Sequence, residues 1–254
     1  MQCMANINQP DAVPLAAEAL KQASLGGVDA LSNLKRQKVY LFHGFTDLTV
    51  LEPVVASAAT FYTLPVIGVP AASIKFNDSK IPAGHGFITP DYGVACNRSA
   101  SPFVNDCEFD QPGETLDWLY GALQARAAKP AGAIVAFSQK PFLADGQSHG
   151  MADTGYLYVP KACSTAGAGC RLHLVFHGCR QNAATVKDAV YAHAGYNNWA
   201  DTNKLVLLYP QTKTTAANNG CWDWWGYDSA SYYTKQGPQM AAVYAMIQRL
   251  TATK

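Results

Sequence analysis

Short apolar runs alternate with helix-like stretches along this chain, and this alternation constrains its fold more than any other feature. The order predicts an α/β fold with a mostly parallel sheet and helices on both of its faces. Strands are expected at 38–42, 72–76, 133–137, 155–159, 172–176 and 205–209, and helices at 14–24, 52–62, 113–126, 183–201 and 239–250. Residues 91–112 are expected to form a loop. Because no repeat or linker interrupts the pattern, residues 1–254 are predicted to form one domain.

The composition excludes several classes of partner. Charged residues make up 15% of the chain and the formal net charge is +1. A nucleic acid or an anionic membrane surface needs a basic face, so neither is expected as a partner. No apolar run approaches the roughly 20 residues that a transmembrane helix needs. The first residues have neither a basic nor an apolar region, so no signal peptide is visible.

The seven cysteines point to export. No pair of C-x-x-C motifs is present, so neither a zinc site nor any other metal site is expected. Closely spaced cysteines in turn-rich, weakly charged segments are typical of an exported protein with disulfides. The odd count and the missing export signal have one common explanation, an absent N-terminal piece that carried the signal and a partner for Cys3. The alternative is a cytosolic protein with free, buried cysteines.

An aspartate and a histidine follow two of the expected strands. Asp47 comes shortly after the strand at 38–42, and His85 lies in AGHG at 83–86, after the next strand. Functional groups of open α/β sheets gather beyond the carboxyl ends of the strands. In α/β-hydrolases an aspartate orients a histidine, which takes the proton of a nucleophilic serine. Alone, Asp47 is more simply interpreted as a turn residue; together the two residues suggest an acid and a base.

A third strand ends in His177-Gly178-Cys179. A tight turn between a strand and a helix exposes backbone N–H groups where negative charge is favoured. Hydrolases place such an amide to receive the oxyanion that develops in the reaction. The simpler interpretation is a plain turn with a structural glycine.

No serine fits the role of nucleophile. GQSHG at 146–150 matches the G-x-S-x-G pattern, but an elbow must join a buried strand to a helix, and Ser148 is followed by another strand. Ser24 follows a helix instead of a strand. Neither serine is predicted to be catalytic.

The combined motifs resemble those of secreted poly(3-hydroxybutyrate) depolymerases of the circularly permuted α/β-hydrolase type. The resemblance extends from about Cys3 to Leu250 and is carried by LFHG at 41–44 with Asp47, AGHG at 83–86, GYLYVP at 155–160, LVFHGCRQ at 174–181 and NGCWDWWGY at 219–227. In that family the nucleophile lies in an N-terminal elbow, ahead of the aspartate. The resemblance therefore implies a permuted and incomplete α/β-hydrolase, truncated at its N-terminus and lacking the nucleophile.

The resemblance also implies roles for particular residues. Asp47 would be the acid, His85 the base, the Cys179 amide an oxyanion donor, and Trp222 an aromatic residue of the substrate cleft. Family disulfides imply the pairs Cys96–Cys107, Cys163–Cys170 and Cys179–Cys221, with Cys3 bonded to a cysteine of the lost segment.

The implied protein is an extracellular, monomeric carboxylic ester hydrolase. It would cleave 3-hydroxyalkanoate polyester or its oligomers without a metal or organic cofactor, and this chain is expected to be inactive without its serine. Two alternatives stay open, a related feruloyl or acetylxylan esterase and a non-catalytic truncated remnant.

An aromatic cluster near the C-terminus fits an apolar substrate. It consists of Trp222, Trp224, Trp225, Tyr227, Tyr232 and Tyr233. Tryptophan and tyrosine offer a large contact area with little conformational entropy to lose. Core packing explains the cluster equally well, so some of its members are expected to be buried and one or two to face the cleft.

Overall fold

A computed structural model describes residues 10–77 and 80–252 of the chain. The chain forms two compact units, Met1–Ala122 and Leu123–Lys254. Each unit builds its own hydrophobic core. The single domain expected over 1–254 stays a prediction. The disulfide expected for Cys3 cannot be compared, because Cys3 lies outside the described residues.

The described part of the first unit begins with a helix, which is followed by a βαβ arrangement. Its elements are α1 (Ala12–Ser24), β1 (Val39–Phe42), α2 (Glu52–Thr63) and β2 (Ile74–Asn77). Asp11 caps α1 by accepting a hydrogen bond from the Val13 N–H at 2.9 Å. β1 and β2 pair in parallel, which requires a crossover that α2 supplies. Ala16, Val39 and Ile67 are buried between these elements.

A small sheet occupies the region that was expected to be mainly loop. β3 (Phe87–Thr89), β4 (Val94–Ala95) and β5 (Val104–Asp106) pair in parallel, with β5 in the middle. The buried Asn105 amide donates to the carbonyls of Cys96 and Arg98, at 2.7 and 2.6 Å. Polar bonds and the Cys96–Cys107 disulfide thus hold strands that are too short to show a hydrophobic period.

The helix expected at 113–126 is shorter and starts earlier. It is α3, Gln111–Tyr120, which the Asp110 carboxylate caps at the Gly113 N–H. Gly121 follows with a φ of 84°, a left-handed conformation that ends the helix.

The second unit contains a four-stranded mixed sheet. Its strands are β6 (Ala133–Ser138), β7 (Thr154–Val159), β8 (Arg171–Leu174) and β9 (Leu205–Tyr209), in the spatial order β6-β7-β9-β8. β8 pairs with β9 in parallel, and β7 is antiparallel to both of its neighbours. The helix α6 (Pro238–Thr251) buries Val243 and Met246 with Leu208 of the central strand β9.

The long helix expected at 183–201 is interrupted. Two short helices replace it, α4 (Ala183–Val186) and α5 (Tyr196–Asn203). Lys187 has a φ of 56° and Gly195 a φ of 85°. These left-handed residues end one helix and precede the next, so the prediction of one continuous helix is wrong.

The part of the chain that the structure describes contains three disulfides, and they are the pairs that the family resemblance implies. They are Cys96–Cys107, Cys163–Cys170 and Cys179–Cys221. Within residues 10–77 and 80–252, no helix has the length and apolarity to cross a bilayer. The same residues include no group of three or more His, Cys, Asp or Glu side chains suited to a metal ion.

Candidate active site

Asp47 and His85 form a hydrogen-bonded pair in the first unit. Asp47 lies in the turn after β1, and its Oδ2 is 2.8 Å from Nδ1 of His85. The His85 side chain is 43% exposed, whereas that of Asp47 is 11% exposed. A sheltered carboxylate thus holds one nitrogen of a partly exposed imidazole.

The second oxygen of Asp47 is held by the backbone. Oδ1 accepts hydrogen bonds from the N–H groups of Thr49 at 2.8 Å and Val50 at 3.0 Å. Burial acts to raise the pKa of Asp47, but the bonds from His85 and these two amides outweigh it and hold the pKa below its usual value. The carboxylate is therefore ionised and fixed, as the orienting acid of a proton-transfer pair must be.

Close backbone contacts bring the two loops together. The N–H of Phe45 donates to Ile81 O at 2.8 Å, and that of Thr46 donates to Ala83 O at 3.1 Å. Gly44 lies so near that an added Cβ would overlap the Ala83 carbonyl oxygen. Only a glycine at position 44 allows this approach, which places Asp47 within reach of His85.

The glycines beside His85 have a related role. An added Cβ on Gly84 would lie 2.6 Å from Arg98 C, and one on Gly86 would lie 2.5 Å from Phe103 O. The His85 N–H also donates to Ser99 Oγ at 2.8 Å. These small residues therefore let the His85 loop pack closely against the backbone of Arg98 and Phe103.

An apolar pocket of about 380 Å³ adjoins the carboxylate. It is lined by His43, Phe45, Asp47, Leu48, Leu51, Glu52 and Pro53. Phe45 is 70% exposed and Leu48 is 83% exposed. Sequence reasoning did not select these two residues, although Leu48 directly follows Asp47 and Phe45 lies two residues before it.

The second unit brings Cys179 and Trp222 together. The disulfide from Cys179 ends on Cys221, the neighbour of Trp222. The Trp222 Nε1–H donates to the His177 carbonyl at 3.0 Å, and the indole packs edge-on against Phe176, with ring centroids 5.1 Å apart. The candidate oxyanion turn and the candidate substrate aromatic therefore form one local arrangement.

The aromatic cluster is more exposed than expected. Trp224, Trp225 and Tyr233 are 45%, 43% and 44% exposed, and the other three members are half-buried. The expectation that some of the six are fully buried is therefore wrong. One physical reason is the Asp223 carboxylate, which accepts hydrogen bonds from the N–H groups of residues 226–229 and fixes this segment as a loop outside the core.

Ser148 does not lie on a nucleophile elbow. It sits in an irregular segment after β6 and before the isolated bridge at Met151, and no helix follows it. Lys213 Nζ donates a 2.6 Å hydrogen bond to Ser148 Oγ. An ammonium group has only donors, so it cannot accept the serine proton. Ser24, at the end of α1, donates to Lys21 O instead.

The sheets, mostly parallel and flanked by helices, define an α/β-hydrolase-like protein. Two solved structures match it over nearly all of its length. PHB depolymerase from Penicillium funiculosum aligns with a TM-score of 0.87 at 30% identity, covering 97% of this chain and 80% of that one. A serine-to-alanine variant of PHB depolymerase complexed with R3HB trimer aligns with a TM-score of 0.88 at 30% identity, covering 98% and 80%.

The chain belongs to the poly(3-hydroxybutyrate) depolymerase family. It is 30% identical over 253 residues to a polyhydroxybutyrate depolymerase of Talaromyces funiculosus, covering 92% of this chain and 71% of the relative. It is 46% identical over 257 residues to a poly(3-hydroxybutyrate) depolymerase of Delftia acidovorans, covering 99% of this chain. The chain spans 50% of the length of that Delftia relative. No protein-family model matches the chain.

Proposed function

We propose that the chain carries most of the active site of an extracellular depolymerase that hydrolyses 3-hydroxyalkanoate polyester. In this proposal Asp47 is the acid, His85 is the base, and the two compact units belong to one catalytic domain. The Cys179 N–H is one oxyanion donor, and Trp222 lines the substrate cleft. The single observation that supports it most is the 2.8 Å hydrogen bond between Asp47 Oδ2 and His85 Nδ1.

The bond between these side chains determines the direction of proton transfer. An ionised carboxylate only accepts, so His85 Nδ1 carries a proton and Nε2 can accept one. Nε2 takes the proton of a serine hydroxyl as the oxygen attacks the ester carbonyl, and Asp47 stabilises the resulting imidazolium. The imidazolium then gives its proton to the departing hydroxyl end of the polyester. Water, activated in the same way by His85, hydrolyses the acyl-serine.

The nucleophile is proposed to lie outside the 254 residues. The Lys213 bond to Ser148 and the lack of a strand–turn–helix at that serine argue against the one G-x-S-x-G match. The solved complex with R3HB trimer is of a serine-to-alanine variant, consistent with a serine mechanism in that relative. In sequence order, the acid and the base precede the oxyanion strand, which supports circular permutation.

Two further features of the proposal follow from the family and the cysteines. The substrate is a hydroxyalkanoate polyester or oligomer, because Trp222, Trp224 and Trp225 offer apolar contact area and a relative is complexed with R3HB trimer. Secretion is supported by the three disulfides, which persist in oxidising compartments. The enzyme is proposed to act as a monomer without a cofactor.

The proposal is tested by restoring the nucleophile. The elbow-completed chain, meaning this chain preceded by the N-terminal elbow segment of a depolymerase of the same family, is assayed with 3-hydroxybutyrate trimer. We expect hydrolysis and labelling by a serine-directed fluorophosphonate, and neither with the 254 residues alone. Faster turnover of feruloyl or acetyl esters than of the trimer would favour the esterase alternative. A folded elbow-completed chain that hydrolyses none of these esters would favour the non-catalytic remnant.

A further inference from the structure

His177 lies three residues after the end of β8 and is almost completely buried. Both of its ring nitrogens form hydrogen bonds with the protein backbone. It is 3% exposed. Its Nδ1 is 2.7 Å from Gly178 O, and the Thr212 N–H donates to its Nε2 at 3.1 Å. The proposed proton transfer does not use this imidazole.

The two partners fix one tautomer of the His177 ring. A backbone N–H can only donate, so Nε2 must be the unprotonated, accepting nitrogen. A carbonyl oxygen can only accept, so Nδ1 must carry the proton and donate it to Gly178 O. Burial lowers the pKa of His177 to about 4, so the ring stays neutral above that pH.

The hydrogen bond to Gly178 O orients the next amide group. Gly178 O and the Cys179 N–H belong to the same planar trans peptide, in which they point in opposite directions. The same oxygen also accepts from the Gln181 N–H at 3.2 Å, and the Gly178 N–H donates to Gln181 Oε1 at 2.7 Å. With its carbonyl held by two donors, this peptide cannot rotate freely.

We propose that His177 is a positioning residue that aims the Cys179 N–H at the developing oxyanion by holding the Gly178 carbonyl. This inference rests on the proposed function, because it assumes that the Cys179 amide is an oxyanion donor. Oxyanion donors contribute only when their direction is set before the reaction. The His177 carbonyl also holds the Trp222 indole at 3.0 Å, and a side-chain substitution leaves that contact available. The imidazole also packs against the Trp222 ring, with centroids 5.5 Å apart, and any side chain without a ring loses that contact. The effect of the Nδ1–H donor on kcat is therefore isolated by comparing two ring-free variants that differ in this donor.

The tautomer is measured directly on the 254-residue chain by ¹⁵N NMR of its histidine rings. We expect the His177 ring to be neutral from pH 5.5 to 8, with the proton on Nδ1. A proton on Nε2, or a charged ring at pH 7, would overturn the inference. This measurement does not depend on whether the chain hydrolyses an ester.

The kinetic test compares two amide side chains in the elbow-completed chain. In His177→Asn the amide nitrogen can take the place of Nδ1 and donate to Gly178 O. In His177→Gln the longer side chain reaches the position of Nε2 and loses that bond. Losing one oxyanion donor lowers kcat by about 10²–10³-fold, so we expect His177→Gln to lose about 10²-fold and His177→Asn less than about tenfold. Both variants lose the ring contact with Trp222, so their KM values should be similar to each other.

His173→Gln is the matched control. His173 lies on β8, four residues before His177, and burial also lowers its pKa to about 4. A kcat in folded His177→Gln as high as in His173→Gln would refute the positioning role. An equal loss of kcat in His177→Asn and His177→Gln would refute it as well. If the parent elbow-completed chain is inactive, the proposed function fails, while the tautomer measurement still decides whether His177 holds the Gly178 carbonyl through a protonated Nδ1.

Discussion

His85 and His149 both form hydrogen bonds with carboxylates, and they differ in whether a ring nitrogen remains to accept a proton. In the first unit, His85 binds Asp47 through Nδ1 alone. In the second unit, His149 is bound at both nitrogens, with Asp228 Oδ2 2.8 Å from Nδ1 and Asp145 Oδ2 2.9 Å from Nε2. The His149 side chain is 16% exposed, against 43% for His85.

The difference shows why a histidine–aspartate contact does not by itself identify a base. Ionised carboxylates only accept, so both nitrogens of His149 must carry protons and its ring is an imidazolium. Burial acts to lower the pKa of His149, but the bonds to Asp145 and Asp228 outweigh it and raise the pKa. Such a ring has no lone pair for a serine proton, whereas Nε2 of His85 can accept one.

The largest expected effect comes from changing the aspartate of each pair to asparagine in the elbow-completed chain. Asp47→Asn can donate to Nδ1 and so hold His85 in the wrong tautomer, a change that lowers kcat by about 10⁴-fold in a serine protease triad. Asp228→Asn alters a histidine with no proposed part in proton transfer, so kcat should change little. Trimer hydrolysis measures both. Equal losses in the two folded variants would abolish the distinction between the two histidines.

The next effect tests the loop approach that brings Asp47 to His85. In Gly44→Ala, the new methyl group overlaps Ala83 O, a backbone atom that cannot rotate away. We expect a loss of unfolding free energy of about 3 kcal/mol, at the upper end of overpacking effects, together with a fall in kcat. Denaturant unfolding measures the loss of unfolding free energy, and trimer hydrolysis by the elbow-completed chain measures kcat.

Gly121→Ala is the control for this substitution. An added Cβ there meets no atom within 4 Å, so only the left-handed φ of 84° opposes it. With a ψ of −167° this is a conformation almost confined to glycine, and the strain costs about 1–3 kcal/mol. Gly121→Ala should nevertheless leave kcat unchanged. A Gly44→Ala variant as stable and active as Gly121→Ala would show that the close approach at Ala83 is not needed.

A smaller effect concerns the stability that His149 contributes at different pH values. Its folded pKa is raised above the ordinary value of 6.5, so its contribution is fully present below pH 6.5 and disappears as pH rises through the folded value. At pH 6 we expect His149→Gln to melt about 2–4 °C below the parent chain, with the gap narrowing at alkaline pH. Melting curves across this range measure the gap.

His193→Gln serves as the comparison. His193 is 3.5 Å from Asp188 and both side chains are largely exposed, so solvent screens the pair. Its substitution should produce no comparable gap. If the difference in melting temperature between His149→Gln and the parent chain stays constant with pH, then packing, and not the two ion pairs, accounts for the stability that His149 contributes.

The Asp47–His85 pair could be predicted from the sequence because local patterns are enough to place both residues. The strand at 38–42 is followed by a glycine turn and an aspartate, and His85 follows the next strand. Because the carboxyl ends of parallel strands lie at the same edge of a sheet, the two side chains can meet there. The strands of the second unit were predicted for the same reason, since β9 is a continuous apolar run. The disulfide pairs required the family resemblance.

The parts that were missed depend on features that neither hydrophobic periodicity nor helix propensity reports. β3, β4 and β5 are held by Asn105 and a disulfide instead of an apolar face. The break between α4 and α5 occurs at Lys187, whose left-handed backbone no local propensity favours. The pocket beside Asp47 exposes Phe45 and Leu48, which a sequence pattern alone would assign to packing.

The smallest expected effect is that of Ser148→Ala in the elbow-completed chain. Lys213 donates to Ser148 Oγ, and its neighbour His149 has both nitrogens engaged, so no adjacent base can take the serine proton. Trimer hydrolysis and fluorophosphonate labelling should equal those of the parent. Loss of labelling in this variant would mean that Ser148 is the nucleophile. His149, the neighbour of Ser148, would then be the candidate base in place of His85.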